Sequence, residues 1–129
     1  MEHTQLKKIR LAIADDHEQL RQAMKTWLVK QGFDVMIGAA NGHDLLDQLD
    51  QSEAPPDICI MDLNMPVMDG IATIREIRNR DLDMNIIVFA ATRKNDQIEL
   101  ALQAGANSFL EKGGHPDELK TAIMEGASI

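Results

Sequence analysis

Apolar residues along this chain recur in short continuous runs that alternate with stretches of helical spacing. Residues 9–14 (Ile-Arg-Leu-Ala-Ile-Ala) form a mostly apolar run followed directly by Asp15 and Asp16, which predicts a first strand ending in two carboxylates. From Leu20 the apolar positions fall at Leu20, Ala23, Met24, Trp27 and Leu28, the stripe of an amphipathic helix that Gly32 stops. Residues 33–40 read as a second strand. Asn41 is placed to cap a helix carrying Leu45, Leu46 and Leu49, and Ala54-Pro55-Pro56 breaks the chain after it.

Residues 58–61 are four consecutive apolar positions, too short for a helix and suited to a strand buried on both faces, as in a parallel sheet. That strand delivers Asp62 to its carboxyl end. After Gly70, Ile71, Ile74 and Ile77 mark a third helix, and residues 86–90 a fourth strand. Residues 96–104 read as a helix that is apolar nearly all round and ends at Gly105, and 107–110 as a fifth strand. A last helix opens with Pro116, Asp117 and Glu118, where acidic groups suit the helix dipole, carries Leu119, Ala122 and Ile123, and fades at Gly126. Five strands alternating with five helices, with no repeat or linker, predict an α/β fold with a parallel sheet covered on both faces.

Composition narrows the setting. At 129 residues the chain suits one domain with a single core. Its lone cysteine, Cys59, lies inside an apolar run, so no intramolecular disulfide can form and a structural thiol in a reducing compartment is expected. No run approaches the ~18 apolar residues of a membrane span, and the polar residues 1–8 do not resemble a signal peptide. These features place the chain in the cytoplasm, with no membrane partner. A net charge of -8 and only three Phe and one Trp disfavour direct nucleic-acid binding by this domain.

The acidic residues gain meaning from placement. In a flavodoxin-like sheet of order 2-1-3-4-5, strands one and three are neighbours, and the crevice beyond their carboxyl ends is the topological switch point where ligands bind. Asp15, Asp16 and Asp62 fall there. Like charges at such separations repel by roughly 1 to 4 kcal/mol per pair, so the three need a cation or shifted pKa values to coexist, and a cation is expected. Magnesium suits hard oxygen ligands, with manganese the alternative. Asp69, beside Gly70, reads instead as a turn former or helix cap. Lys112 follows the fifth strand at the same end of the sheet, and a carboxylate, a divalent cation and a lysine are what phosphoryl transfer to aspartate requires. Of the histidines, His17 sits next to the acidic pair and is placed to tune it, whereas His3, His43 and His115 are expected in solvent.

With these residues in place the sequence resembles the CheY-like receiver domain of two-component response regulators, and within that family the NarL/FixJ class. The resemblance rests on Asp15-Asp16-His17, on Asp62-Leu-Asn-Met-Pro-Val-Met-Asp-Gly70 and on Gly105-Ala-Asn-Ser-Phe-Leu-Glu-Lys112. It implies one receiver domain over residues 1–129, with a structured core over about 8–126. It further implies that Asp62 accepts a phosphoryl group from a sensor histidine kinase or phosphotransfer protein. By the same resemblance Asp16 and Asp62 bind magnesium through their side chains, Asn64 through its backbone carbonyl, and Asp15 through ordered water. Lys112 and the backbone of Ala91 would contact the phosphoryl group, Pro66 and Gly70 would shape the loop over the site, and Phe109 would be the aromatic switch. Such a domain is a signalling phosphoacceptor that catalyses only its own phosphotransfer and dephosphorylation. It can form homodimers, and regulates transcription when joined to a DNA-binding domain.

Two positions depart from the family pattern. The Ser or Thr that ends strand four is Ala90, so its hydroxyl is lost, and Thr92 lies two residues further on. The Lys-Pro pair after strand five is Lys112-Gly113, which removes the reason to expect a cis peptide there. Ala90 motivates an alternative reading, a degenerate receiver that docks partners independently of phosphorylation. A haloacid-dehalogenase-type phosphatase is opposed by Asn64, which stands where that chemistry needs a second Asp as general acid.

Overall fold

The computed structural model describes residues 8–91 and 94–127. Thr92, His3 and the first seven residues lie outside them. The chain alternates β1 (Arg10–Ala14), α1 (Glu18–Lys30), β2 (Asp34–Ala39), α2 (Gly42–Gln51), β3 (Ile58–Met61), α3 (Gly70–Asn79), β4 (Asn85–Ala90), α4 (Asn95–Ala104), β5 (Ser108–Glu111) and α5 (Pro116–Ala127). The strands are parallel and ordered β2-β1-β3-β4-β5, the flavodoxin-like arrangement that the alternation predicts.

Side-chain alternation along the central strands divides the core in two. Cys59 and Met61 point with Ala12, Ala14, Ile86 and Val88 toward Leu45, Leu49, Ile74 and Ala101 of α2, α3 and α4. Ile58 and Ile60 point with Leu11, Ile13 and Ile87 toward Met24 and Leu28 of α1 and Leu119 and Ile123 of α5. All four β3 residues are therefore buried, and Cys59 has no exposed surface. Burial pushes its thiol up to about 12, as a structural rather than reactive cysteine requires.

Several boundaries differ from those read in the sequence. α1 starts at Glu18 because the His17 imidazole caps it, accepting from Leu20 N at 3.1 Å. The ladder between β1 and β2 slips between Leu11 and Ala12, which pair with Val35 and Ile37. That bulge at Met36 lets Val35 and Ile37 serve opposite core faces, which strict alternation forbids. β5 starts one residue later than expected, because the Asn107 side-chain oxygen takes the Ile86 N–H at 2.8 Å. α4 is apolar in sequence, yet Ala101 is its one buried residue and Leu100 and Leu102 are exposed. The cause is position: α4 packs chiefly on α3, so much of its circumference faces solvent. No helix among the described residues is long and apolar enough to cross a membrane.

Candidate functional site

The last pair of the β1–β3 ladder is Ala14 with Met61, so the next residues of both strands leave the sheet side by side. Asp62 N donates to Ala14 O at 2.9 Å, and Asp15 N to Ala39 O at 3.0 Å. Three carboxylates result: Asp15, Asp16 and Asp62 each bring an oxygen within 4.8 Å of the others. Asp15 and Asp62 are buried, and Asp16 is exposed.

Lys112 holds the two buried carboxylates together. Its backbone N–H donates to Ala90 O at 2.9 Å, extending the β4–β5 ladder by one residue. From there its ammonium reaches Asp15 Oδ2 at 2.7 Å and Asp62 Oδ2 at 3.3 Å. Burial alone would lower the lysine, but its hydrogen bond to Asp15 and the charges of Asp62 and Asp15 outweigh that and hold it above its ordinary value. Asp62 is pushed up by burial; the Lys112 charge only partly offsets this, and the Asp15 charge adds to the rise. Among the described residues, one ammonium thus serves two buried carboxylates, which leaves these three groups short of positive charge.

The two buried carboxylates are not equivalent. Both Asp15 oxygens are occupied by the protein, Oδ1 by His17 N at 2.9 Å and Oδ2 by Lys112. Among the described residues, Asp62 Oδ1 accepts from its neighbour Leu63 N at 2.8 Å, and its second oxygen has the longer contact to Lys112 at 3.3 Å. His17 therefore meets the site through its backbone N–H on Asp15, while its imidazole Nδ1 caps α1.

The loop from Asp62 to α3 is tightly constrained. A Cβ on Gly70 would lie 2.2 Å from Asp62 O and 2.8 Å from Leu63 Cα, so only glycine lets α3 start against the backbone of the strand end. Gly70 N donates to Leu63 O at 2.9 Å, and Met68 N to Pro66 O at 2.6 Å. Asp69 caps α3, accepting from Ala72 N at 2.9 Å, the role its place beside Gly70 predicted. Asn64 and Pro66 are exposed on this loop. Ala90 is fully buried, Ala91 exposed, and Phe109 is half-buried against the α2–α4 side of the core. The peptide between Lys112 and Gly113 is trans.

One contributor was not legible in the sequence. Arg21 donates from Nη1 to the Asp15 carbonyl at 2.7 Å, although in sequence it is one more polar residue on an amphipathic helix. No spacing rule marks a side chain that reaches back six residues to a strand end.

Comparison with known proteins gives a consistent result. The family model described as the response regulator receiver domain matches residues 11–124. The chain is 37% identical over 114 residues to the chemotaxis protein CheY of Bacillus subtilis (strain 168), covering 88% of this chain and 93% of that protein. It is 32% identical over 123 residues to the nitrate/nitrite response regulator protein NarL of Escherichia coli (strain K12), covering 92% of this chain and 54% of that protein. The chain thus spans nearly all of one relative and about half of the other. A DNA-binding response regulator of the LuxR family from Staphylococcus aureus superposes with a TM-score of 0.86 at 26% identity, covering 93% of this chain and 99% of that chain.

Proposed function

Because the chain belongs to the response regulator receiver family, we propose that Asp62 is its phosphoacceptor, taking a phosphoryl group from a phosphohistidine of a sensor histidine kinase or phosphotransfer protein. A carboxylate oxygen of Asp62 attacks phosphorus, the P–N bond breaks, and its electron pair returns to the donor imidazole. The product is an acyl phosphate on Asp62. The observation that carries this reading is the Lys112 ammonium lying between Asp15 and Asp62 at 2.7 and 3.3 Å. It is held charged at neutral pH, where it balances negative charge gathering on the transferred phosphoryl oxygens. The Ala91 backbone lies at the same end of the sheet and is assigned a contact to that group.

The residues present fit a hard divalent cation. All three side-chain donors are carboxylate oxygens within 4.8 Å of one another, and among the described residues the Lys112 charge alone leaves the three carboxylates net negative. Since both Asp15 oxygens are already taken, Asp15 is assigned an outer role through water. Asp16, Asp62 and the Asn64 carbonyl are assigned the direct contacts. When bound, magnesium, or manganese in its place, supplies positive charge to the phosphoryl oxygens. Pro66 and Gly70 keep the loop carrying Asn64 over the site.

The domain acts as a signalling element in the cytoplasm, catalysing its own phosphotransfer and the hydrolysis of its own acyl phosphate. Its phosphorylation state sets an output such as transcription or homodimer formation. Incubation with magnesium and acetyl phosphate tests the assignment: the wild type gains the mass of one phosphoryl group and Asp62→Asn gains none. A modified Asp62→Asn, or an unmodified wild type, rejects it.

A further inference from the structure

We propose that Arg21 is a positioning residue for cation binding: by holding the Asp15 carbonyl it aims the Asp16 carboxylate at the metal site. The inference rests on the proposed cation site and concerns a residue outside its ligand set.

The Asp15 carbonyl is the first β1 carbonyl beyond the ladder pairs with β2 and β3. Neighbouring strands give it no donor, and a part-buried carbonyl left without one is costly. Arg21 supplies the donor, with Nη1 at 2.7 Å. Its stem lies across β2, where a Cβ on Gly38 would come within 3.9 Å of its Cδ and Nε. The guanidinium is thus braced between α1 and β2 and pins the turn that follows β1.

What this fixes is the next residue. The peptide from Asp15 Cα to Asp16 Cα is planar, so a carbonyl oxygen held at one end sets the Asp16 nitrogen and Cα at the other. Asp15 is independently anchored by Ala39 O on its own N–H and by His17 N and Lys112 on its carboxylate. Asp16 is exposed, and its direction depends on this peptide plane. Loss of the Arg21 bond leaves Asp15 in place and lets the 15–16 peptide rotate, so that Asp16 samples orientations that miss the cation.

Charge and geometry predict opposite signs, which makes the proposal decidable. Removing a positive charge near an acidic cluster should tighten divalent-cation binding by electrostatics alone; losing the support of a ligand should weaken it about tenfold or more. Geometry wins in this proposal, because the guanidinium meets a backbone carbonyl rather than a carboxylate.

The test uses the intact chain with Mn2+ binding followed by electron paramagnetic resonance, Mg2+ in competition, for wild type, Arg21→Met and Arg21→Lys. Arg21→Met is expected to bind about tenfold more weakly, with Arg21→Lys between the two. In phosphorylation by acetyl phosphate, the Mg2+ concentration at half-maximal rate should rise while the rate at saturating Mg2+ stays near wild type. Tighter or unchanged binding by Arg21→Met overturns the role given to Arg21. Failure of the wild type to bind Mn2+ or Mg2+ overturns the cation site itself, and a saturating rate that falls with unchanged half-saturation reassigns Arg21 to the fold. Urea unfolding without metal confirms that each variant is folded, and Arg21→Lys carries the test if Arg21→Met is not.

Discussion

Asp62 carries a conflict between folding and function that a single substitution can expose. Burial raises it, the Lys112 charge only partly offsets that, and the Asp15 charge adds to the rise. The folded chain therefore keeps a proton on Asp62 over a pH range in which the unfolded chain has lost it. Stability from this group is fully present below the ordinary value of 3.8 and is lost as pH rises through the higher folded value. Asp62→Asn removes the like-charge conflict with Asp15 and keeps an oxygen for Leu63 N, so without divalent cation it should be more stable by about 1 kcal/mol at neutral pH, or about 3 to 6 °C in Tm. The gap should narrow on acidification and shrink when Mg2+ is added to the wild type. Thermal unfolding between pH 4 and 8 measures it, and a variant less stable than wild type at neutral pH contradicts it. Asp15 and Asp62 were legible as candidates because each directly follows an apolar run, with Asp16 next to Asp15 and Lys112 separated from the fifth run by Glu111 alone; the end of a strand is a place that sequence can name. The Arg21 bond and the His17 cap were not, since both depend on where a helix docks.

At the scale of elements, the segments leading into the amino ends of β4 and β5 are tied together by one residue of α3. Arg78 on α3 donates to Gly105 O at 3.0 Å, Leu82 O at 2.7 Å and Asn107 Oδ1 at 2.9 Å. It thereby joins α3, the turn into β4 and the loop into β5. A Cβ on Gly105 would lie 2.5 Å from the Arg78 stem, so the glycine both ends α4 at φ +127° and makes room for the arginine. Arg78→Met keeps much of the stem and leaves three oxygens without this donor, which should cost about 3 kcal/mol. Because the clamp lies at the opposite end of the sheet from Asp62, Mn2+ affinity should stay unchanged while the urea midpoint falls; a parallel loss of both would show the two ends to be coupled. The sequence announced Gly105 as a helix stop but gave no sign of its partner 27 residues away. Periodicity located every element, yet the Met36 bulge and the solvent-facing leucines of α4 follow from neighbours that a one-dimensional pattern does not contain.

At the scale of the whole molecule, the proposed phosphorylation of Asp62 raises the issue of how a phosphoryl group there would reach the surface of α4 and β5. The route available runs through β4: Ala90 is fully buried, pairs with Glu111 in the β4–β5 ladder, and its carbonyl accepts from Lys112 N at 2.9 Å. Backbone continuity between the site and β5 is therefore intact. What Ala90 lacks is a hydroxyl to bond the phosphoryl group directly, and such a charge-assisted bond contributes roughly 1.5 to 3 kcal/mol. A ligand shifts a two-state equilibrium only by its differential affinity for the two states, so a phosphoryl group bound equally well in both would alter chemistry at Asp62 and leave Phe109 and α4 where they are. Restoring the hydroxyl should therefore enlarge the response without changing phosphorylation. In Ala90→Ser, which adds one atom to a packed position, beryllium fluoride with Mg2+ should shift the backbone NMR resonances of α4 and β5 further than in wild type, with the population of the shifted state raised about tenfold. Ala90→Thr should do the same at a larger packing cost. Equal shifts in wild type and both variants would mean that the Lys112–Ala90 bond already carries the signal, and that this receiver switches without the hydroxyl.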